Sequence, residues 1–170
     1  MLQLAWKQGD PFIQPASNPI AGLYADHHAM VFRTAYRITG NAADAEDALQ
    51  TVFVRLMTRD AGAAEILQPE SYLRRAAIHV SLDLIRARQA KRDLEADGVA
   101  PGDPELRHAL RQALAGLEQK HAEMFTLRFL EGYENGEIAA MMGISKLSVA
   151  VTLHRIRRRL QQEFRKVDSQ

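Results

Sequence analysis

The sequence predicts an all-α chain built as two small helical domains joined by a short acidic linker. Three observations lead there. Apolar residues recur at three- and four-residue intervals through most of the chain, and no segment alternates for the length of a strand. Asparagine, serine and glycine stand where those patterns begin and end, as helix caps do. Between Asp93 and Glu105 the pattern is interrupted by DLEADGVAPGDPE, whose glycines, prolines and five acidic residues read as a linker.

Taken in order, residues 1–19 are polar and punctuated by Pro11, Pro15 and Pro19, and are expected to form a flexible N-terminal tail. A helix from about Ile20 to Thr39 is stopped by Gly40, and Asn41 supplies the cap of the next one. That helix, Ala42 to about Arg59, aligns Ala45, Leu49, Val52, Phe53 and Leu56 on one stripe, with Asp44, Glu46 and Asp47 in its first turns. After a loop from Asp60 to Pro69, a third helix carries Leu73, Ala76, Ala77, Val80 and Leu84 inward, leaving Arg74, Arg75, Arg86 and Arg88 on other faces. The first domain thus covers residues 20–92 and the linker 93–105. In the second domain, residues 106–170, Leu106, Leu110, Ala113, Leu114 and Leu117 form one amphipathic helix, and Met124, Leu127 and Leu130 a further one. Each domain is close to the smallest that can hold a core.

The stretch from Glu131 to Arg165 carries the most functional information. Ile138, Ala139 and Met142 share one face of a short helix, Gly143 supplies its left-handed stop, and Ser145 caps a second helix. There Val149, Leu153, Ile156 and Leu160 make a buried stripe, which leaves Lys146, Ala150, His154, Arg155, Arg157 and Arg158 outward. A cationic helix held across a short turn fits the DNA major groove, which makes this a helix-turn-helix. The pattern alone also allows an ordinary helical hairpin with a solvated charged side.

The net charge of +1 conceals a partition. Residues 20–92 hold 10 basic and 8 acidic side chains, residues 93–105 hold 5 acidic and none basic, and residues 106–170 hold 11 basic and 7 acidic. Two mildly basic blocks flank an acidic segment, as suits a chain that meets nucleic acid on both sides of a linker. In the free chain that linker can lie against either block. With no cysteine, disulfides and thiolate metal sites are excluded. The N-terminus has neither a signal core nor a membrane span, so cytoplasmic localisation without membrane insertion is expected. The six histidines show no metal-ligand spacing, and neither a phosphate-binding glycine loop nor a recognisable nucleophile is present, so no enzyme, cofactor or metal is expected.

With both halves placed, the chain resembles bacterial sigma factors of the extracytoplasmic-function group over residues 20 to 165. DAEDALQTVFVRL (Asp44 to Leu56) is similar to the family segment that docks on the clamp of the polymerase beta-prime subunit. YLRRAAIHVSLDLIRARQAKR (Tyr72 to Arg92) resembles the promoter-melting helix, and LRFLEGYENGEIAAMMGIS (Leu127 to Ser145) the helix-turn-helix that reads the upstream promoter element. The resemblance implies a sigma-2-like and a sigma-4-like domain. It also implies RNA polymerase core, promoter DNA and an anti-sigma factor as partners, and a role in transcription initiation.

Asp44, Asp47, Gln50 and Thr51 are the expected polymerase contacts, since carboxylates on a helix face suit an arginine-rich partner. Asp44 also reads as part of a capping box with Asn41. Arg74, Arg75, His79, Arg86, Arg88, Lys91 and Arg92 are the expected contacts to melted and downstream promoter DNA, where cations follow the backbone. Each of these arginines taken singly also reads as a solvating residue. At the upstream element the expected residues are Lys146, Ser148, Ala150, Val151, His154, Arg155 and Arg158, with Arg155 on a phosphate or a guanine edge. The chain departs from the family at Tyr72 (usually tryptophan), His79 (usually asparagine), Glu118, Ala122, Ala150 and Val151. The rival readings are a helix-turn-helix regulator that never joins polymerase, which should show a ligand pocket or strands in its first half, and a helical scaffold, which would leave the basic helix unexplained.

Overall fold

The computed structural model describes residues 19–58, 66–92 and 104–167, and among them the chain forms seven α-helices and no strand. They are α1 (Pro19–Thr39), α2 (Ala42–Thr58), α3 (Pro69–Arg92), α4 (Pro104–Ala115), α5 (Gln119–Phe129), α6 (Asn135–Met142) and α7 (Lys146–Val167). Local chemistry sets the boundaries. Gly40 ends α1 at φ 67°, and the Asn41 side-chain oxygen accepts the Ala43 and Asp44 amides at 2.8 and 3.3 Å to start α2. Pro69 and Pro104 open α3 and α4, where the missing N–H costs nothing. The expected linker therefore overran by two residues: Pro104 and Glu105 already belong to α4.

α1, α2 and α3 pack on one another around Val31, Ala35, Ala45, Val52, Phe53, Leu73 and Ala77. A second apolar cluster does not stay within the second half. Ile38 of α1 and Ile78, Leu82 and Ile85 of α3 join Leu114, Leu117, Ala122, Leu127, Ile138, Val149 and Leu153 in one continuous core. α3 is therefore the central helix, buried on one side against α1 and α2 and on the other against α4 and α5. Burying Ile78, Leu82 and Ile85 contributes about 1.5–3 kcal/mol each relative to exposure, which ties the two halves together. A polar clamp adds to it, because Arg111 of α4 donates to the Thr39 carbonyl at 3.0 Å, capping the end of α1. A Cβ at position 40 would stand 2.6 Å from that guanidinium, so Gly40 serves the turn and the contact together.

The expected inward rows of α2, α5, α6 and α7 are buried or half-buried as read, but Leu106 is not: it lies 65% exposed at the outer start of α4, whose inward row is Leu110, Ala113 and Leu114, continued past the helix end by Leu117.

Candidate nucleic-acid interface

The turn between α6 and α7 redirects the chain by 107°, within the range of DNA-reading helix pairs. Gly143 adopts φ 67°, and the Ile144 amide reaches back to the Ala139 carbonyl at 3.0 Å, closing the end of α6. The Ser145 hydroxyl then accepts the Ser148 amide at 3.1 Å and meets the Ser148 hydroxyl at 2.8 Å. The opposite end is set by Glu137, which accepts the Glu134 amide at 2.7 Å, and by Arg128, which bonds the Tyr133 carbonyl at 3.0 Å. Val149, Leu153, Ile156 and Leu160 are buried, so the register of α7 is fixed. Lys146, Leu147, Ser148, Ala150, Val151, His154, Arg155, Arg157 and Arg158 are exposed. Arg157 lies over the Phe129 ring at 5.4 Å and Arg159 donates to the Gly116 carbonyl at 3.3 Å, leaving Arg155 and Arg158 as the cations presented outward by the middle of the helix.

The helix α3 is different. Its described arginines, Arg74, Arg75, Arg86 and Arg88, are each paired within the chain. Arg74 binds Glu131, whose side chain is fully buried, together with the Thr34 hydroxyl and Glu70. Arg37 of α1 closes on the other oxygen of Glu131 at 2.9 Å. Arg75 donates to Glu123 at 2.5 Å and to the Met141 carbonyl at 2.8 Å, and His79 pairs with the second oxygen of Glu123 at 2.9 Å. Arg86 bonds Gln119 and the Ala115 and Leu117 carbonyls. Every one of these partners except Thr34 and Glu70 comes from the second half. Burial alone would push the Glu123 carboxyl up, but the hydrogen bonds from His79 and Arg75 outweigh it and hold it below the usual carboxylate range. Arg74 is held above its ordinary value: burial opposes its charge, while Glu70, Tyr133 and Glu131 together outweigh that. The side chains of Lys91 and Arg92 lie outside the described residues, as do residues 60–65 of the expected loop from Asp60 to Pro69 and the linker to residue 103.

Between α2 and α3 an open cleft of about 340 Å³ is lined by Arg55, Tyr72, Arg75 and His79 over Val52, Ala76 and Val80. On the outer face of α2, Asp47 and Gln50 are exposed and Thr51 is half-buried. Val54 and Met57 continue that face at 56% and 61% exposure, an apolar extension that the reading of acidic residues passed over. Asp44 does not belong to it. Its carboxylate is buried and paired with Arg88 at 2.5 Å, while its amide donates to the Asn41 side chain at 3.3 Å, one half of the expected capping box. Arg88, expected at DNA, is turned to the same pair. Burial raises the Asp44 pKa in spite of Arg88 and Arg111, and the neighbouring Asp47 raises it further.

Residues 23–91 match the sigma-70 region 2 family and residues 107–160 the sigma-70 region 4 family. The chain is 33% identical to the ferric citrate uptake sigma factor FecI of Escherichia coli over 79% of its own length and 84% of the relative's. It is 32% identical to the RNA polymerase sigma-E factor of Streptomyces avermitilis over 81% and 80%. The fold is similar to that of CnrH in complex with the cytosolic domain of CnrY, with TM-score 0.55 and 22% identity over 86% of this chain and 88% of that one. It is also similar to the sigma factor RpoE bound to the anti-sigma factor NepR from Bartonella quintana, with TM-score 0.53 and 17% identity over 86% and 97%. The chain belongs to the extracytoplasmic-function sigma factors of the sigma-70 family. Among its described residues no single helix is long and apolar enough to cross a membrane.

Proposed function

We propose that this sigma factor docks on the beta-prime clamp of RNA polymerase core through the outer face of α2, reads the upstream promoter element with α7, and holds melted DNA along α3. Catalysis of RNA synthesis stays with the polymerase, in the cytoplasm. The observation that carries the reading is the pairing of two differently prepared cationic helices in one chain: α7 presents Lys146, His154, Arg155 and Arg158 to solvent, while α3 sets Arg75 and His79 along a cleft. Asp47, Gln50 and Thr51, continued by Val54 and Met57, supply a docking strip with a charged end and an apolar end, the mixture that gives an interface both orientation and burial. The cleft between Arg55, Tyr72, Arg75 and His79 suits an unstacked base, with an aromatic ring to stack on and cations to hold its phosphates. Lys91 and Arg92 extend the same cationic helix in sequence. At α7, Ala150 and Val151 offer methyl contacts, and Lys146 and Ser148 stand at a helix start, where amides already favour phosphate. An anti-sigma partner belongs to the proposal on family membership.

Co-purification with core polymerase, followed by sequencing of the DNA the assembly selects, tests this directly. A folded chain that never associates with core would support the regulator that acts without polymerase. Asp47→Arg combined with Gln50→Ala is expected to weaken core binding with helical content unchanged, because both side chains are exposed. Undiminished affinity for core would remove α2 from the docking site.

A further inference from the structure

The carboxylates of Glu123 and Glu131 occupy two well-formed cation cages, and the origin of the groups is informative. In one cage Thr34 and Arg37, three residues apart on α1, meet Arg74 of α3 around Glu131. In the other, Arg75 and His79, one turn apart on α3, take the two oxygens of Glu123. All the cage groups come from the first half of the chain and both anions from the second, and the side chains of Glu123 and Glu131 are 2% and 0% exposed. We propose that the Thr34–Arg37–Arg74 and Arg75–His79 cages are phosphate sites for the separated promoter strand, and that Glu131 and Glu123 stand in for those phosphates in the free chain.

The inference rests on the sigma-factor reading and adds a ligand, two residues outside the family-based set (Thr34 and Arg37), and an order of events. Carboxylate and phosphate oxygens accept the same charge-assisted bonds in the same forked geometry, so a site built for one accepts the other. A buried ion pair is poor adhesive, because desolvation cancels most of its attraction. The apolar contact of Ile78, Leu82 and Ile85 already joins the halves. What the ion pairs add is occupancy: while the second half is in place, the donors that Arg37, Arg74, Arg75 and His79 turn toward it are already taken by Glu131 and Glu123. When it leaves, those cations share one face with no anion from the second half, and a polyanion is the natural replacement. The occlusion is selective, since α7 remains exposed in the same arrangement. The free chain can therefore touch duplex DNA through α7 but holds a melted strand only after its halves separate.

The test uses the full-length chain without polymerase and a fluorescent single-stranded oligodeoxythymidylate. Glu123→Gln with Glu131→Gln removes both charges and keeps side-chain shape. This variant is expected to bind the oligonucleotide more tightly than the native chain, with the slope of log K against log salt steeper by roughly 1.4, two phosphates at about 0.7 each. Adding Arg37→Ala, at a half-exposed position, should return part of that gain, up to roughly 0.7 in slope. A folded double variant with native affinity and slope overturns the proposal. So does an opened variant that prefers oligoglutamate to the oligonucleotide, which would assign the cages to an acidic protein instead. Should the double variant fail to fold, Arg37→Ala in the otherwise native chain assembled with core polymerase is expected to weaken retention of single-stranded DNA several-fold, and unchanged retention overturns the proposal. Assembly of the native chain with core is scored separately, so failure of the sigma-factor reading is distinguishable from failure of the cages.

Discussion

Glu123 and Asp44 are both carboxylates buried beside arginine, yet their surroundings treat the charge in opposite ways. Two donors, Arg75 and His79, saturate Glu123 and hold its carboxyl below the ordinary 4.5, whereas burial dominates at Asp44 and lifts it above the ordinary 3.8. A depressed carboxyl contributes stability that is complete above its unfolded value and is lost as pH falls through the folded one. For Glu123 that loss begins below about pH 4.5. A raised carboxyl acts the other way, so ionised Asp44 opposes folding at neutral pH and its protonation in acid removes that cost. Glu123→Gln is therefore expected to destabilise the chain by about 1–3 kcal/mol at pH 7, and to flatten its acid destabilisation. Asp44→Asn should cost less than Glu123→Gln at pH 7, because the ionised Asp44 already opposes folding there. Thermal unfolding of both variants between neutral pH and about pH 3.5 measures the contrast, and equal losses would contradict it.

The helices differ in how far their sequences disclosed them. α7 was readable because its two faces have different composition: the four-residue apolar stripe is buried and the residues expected outward are exposed, and capping at Ser145 follows from hydroxyl chemistry at a helix start. α3 was half readable. Leu73, Ala77 and Val80 pointed to one inward face, but Ile78, Leu82 and Ile85 form a second stripe at helical spacing, the signal that a helix is buried on both sides. Nothing local marks Glu123 and Glu131 as partners of α3, because pairing across some 50 residues depends on tertiary placement. The same limit hid the pairing of Asp44 with Arg88, which joins the first turn of α2 to the last turns of α3. On α7 the exposed register makes a sharp expectation possible. Arg155→Ala should weaken binding to the selected upstream element by roughly 1–3 kcal/mol if it reads a base, with a smaller effect on unrelated duplexes. Equal loss on every duplex would make Arg155 a phosphate contact instead.

At the scale of the whole molecule, the division into halves by sequence and the division by core do not coincide. The acidic, glycine- and proline-containing stretch from residue 93 to 103 is where composition places the first proteolytic cut. Two independently cored domains would drift apart once it was cut. Here Ile38, Ile78, Leu82 and Ile85 belong to the core of the second half, and Arg111, Arg75 and Arg86 bridge the same boundary. Three isoleucine or leucine side chains of α3 at about 1.5–3 kcal/mol each do not by themselves reach the roughly 8 kcal/mol net that micromolar association of two fragments requires; Ile38, the apolar residues of the second half buried with them and the polar contacts across the boundary supply the rest. Limited proteolysis is thus expected to yield fragments that still elute as one species in gel filtration and separate on addition of core polymerase, which takes up the first half. Duplex binding through α7, as proposed, should be little changed by the cut, since its outward face is already exposed. Fragments that elute apart as soon as the chain is cut would show that the shared core does not hold the halves together.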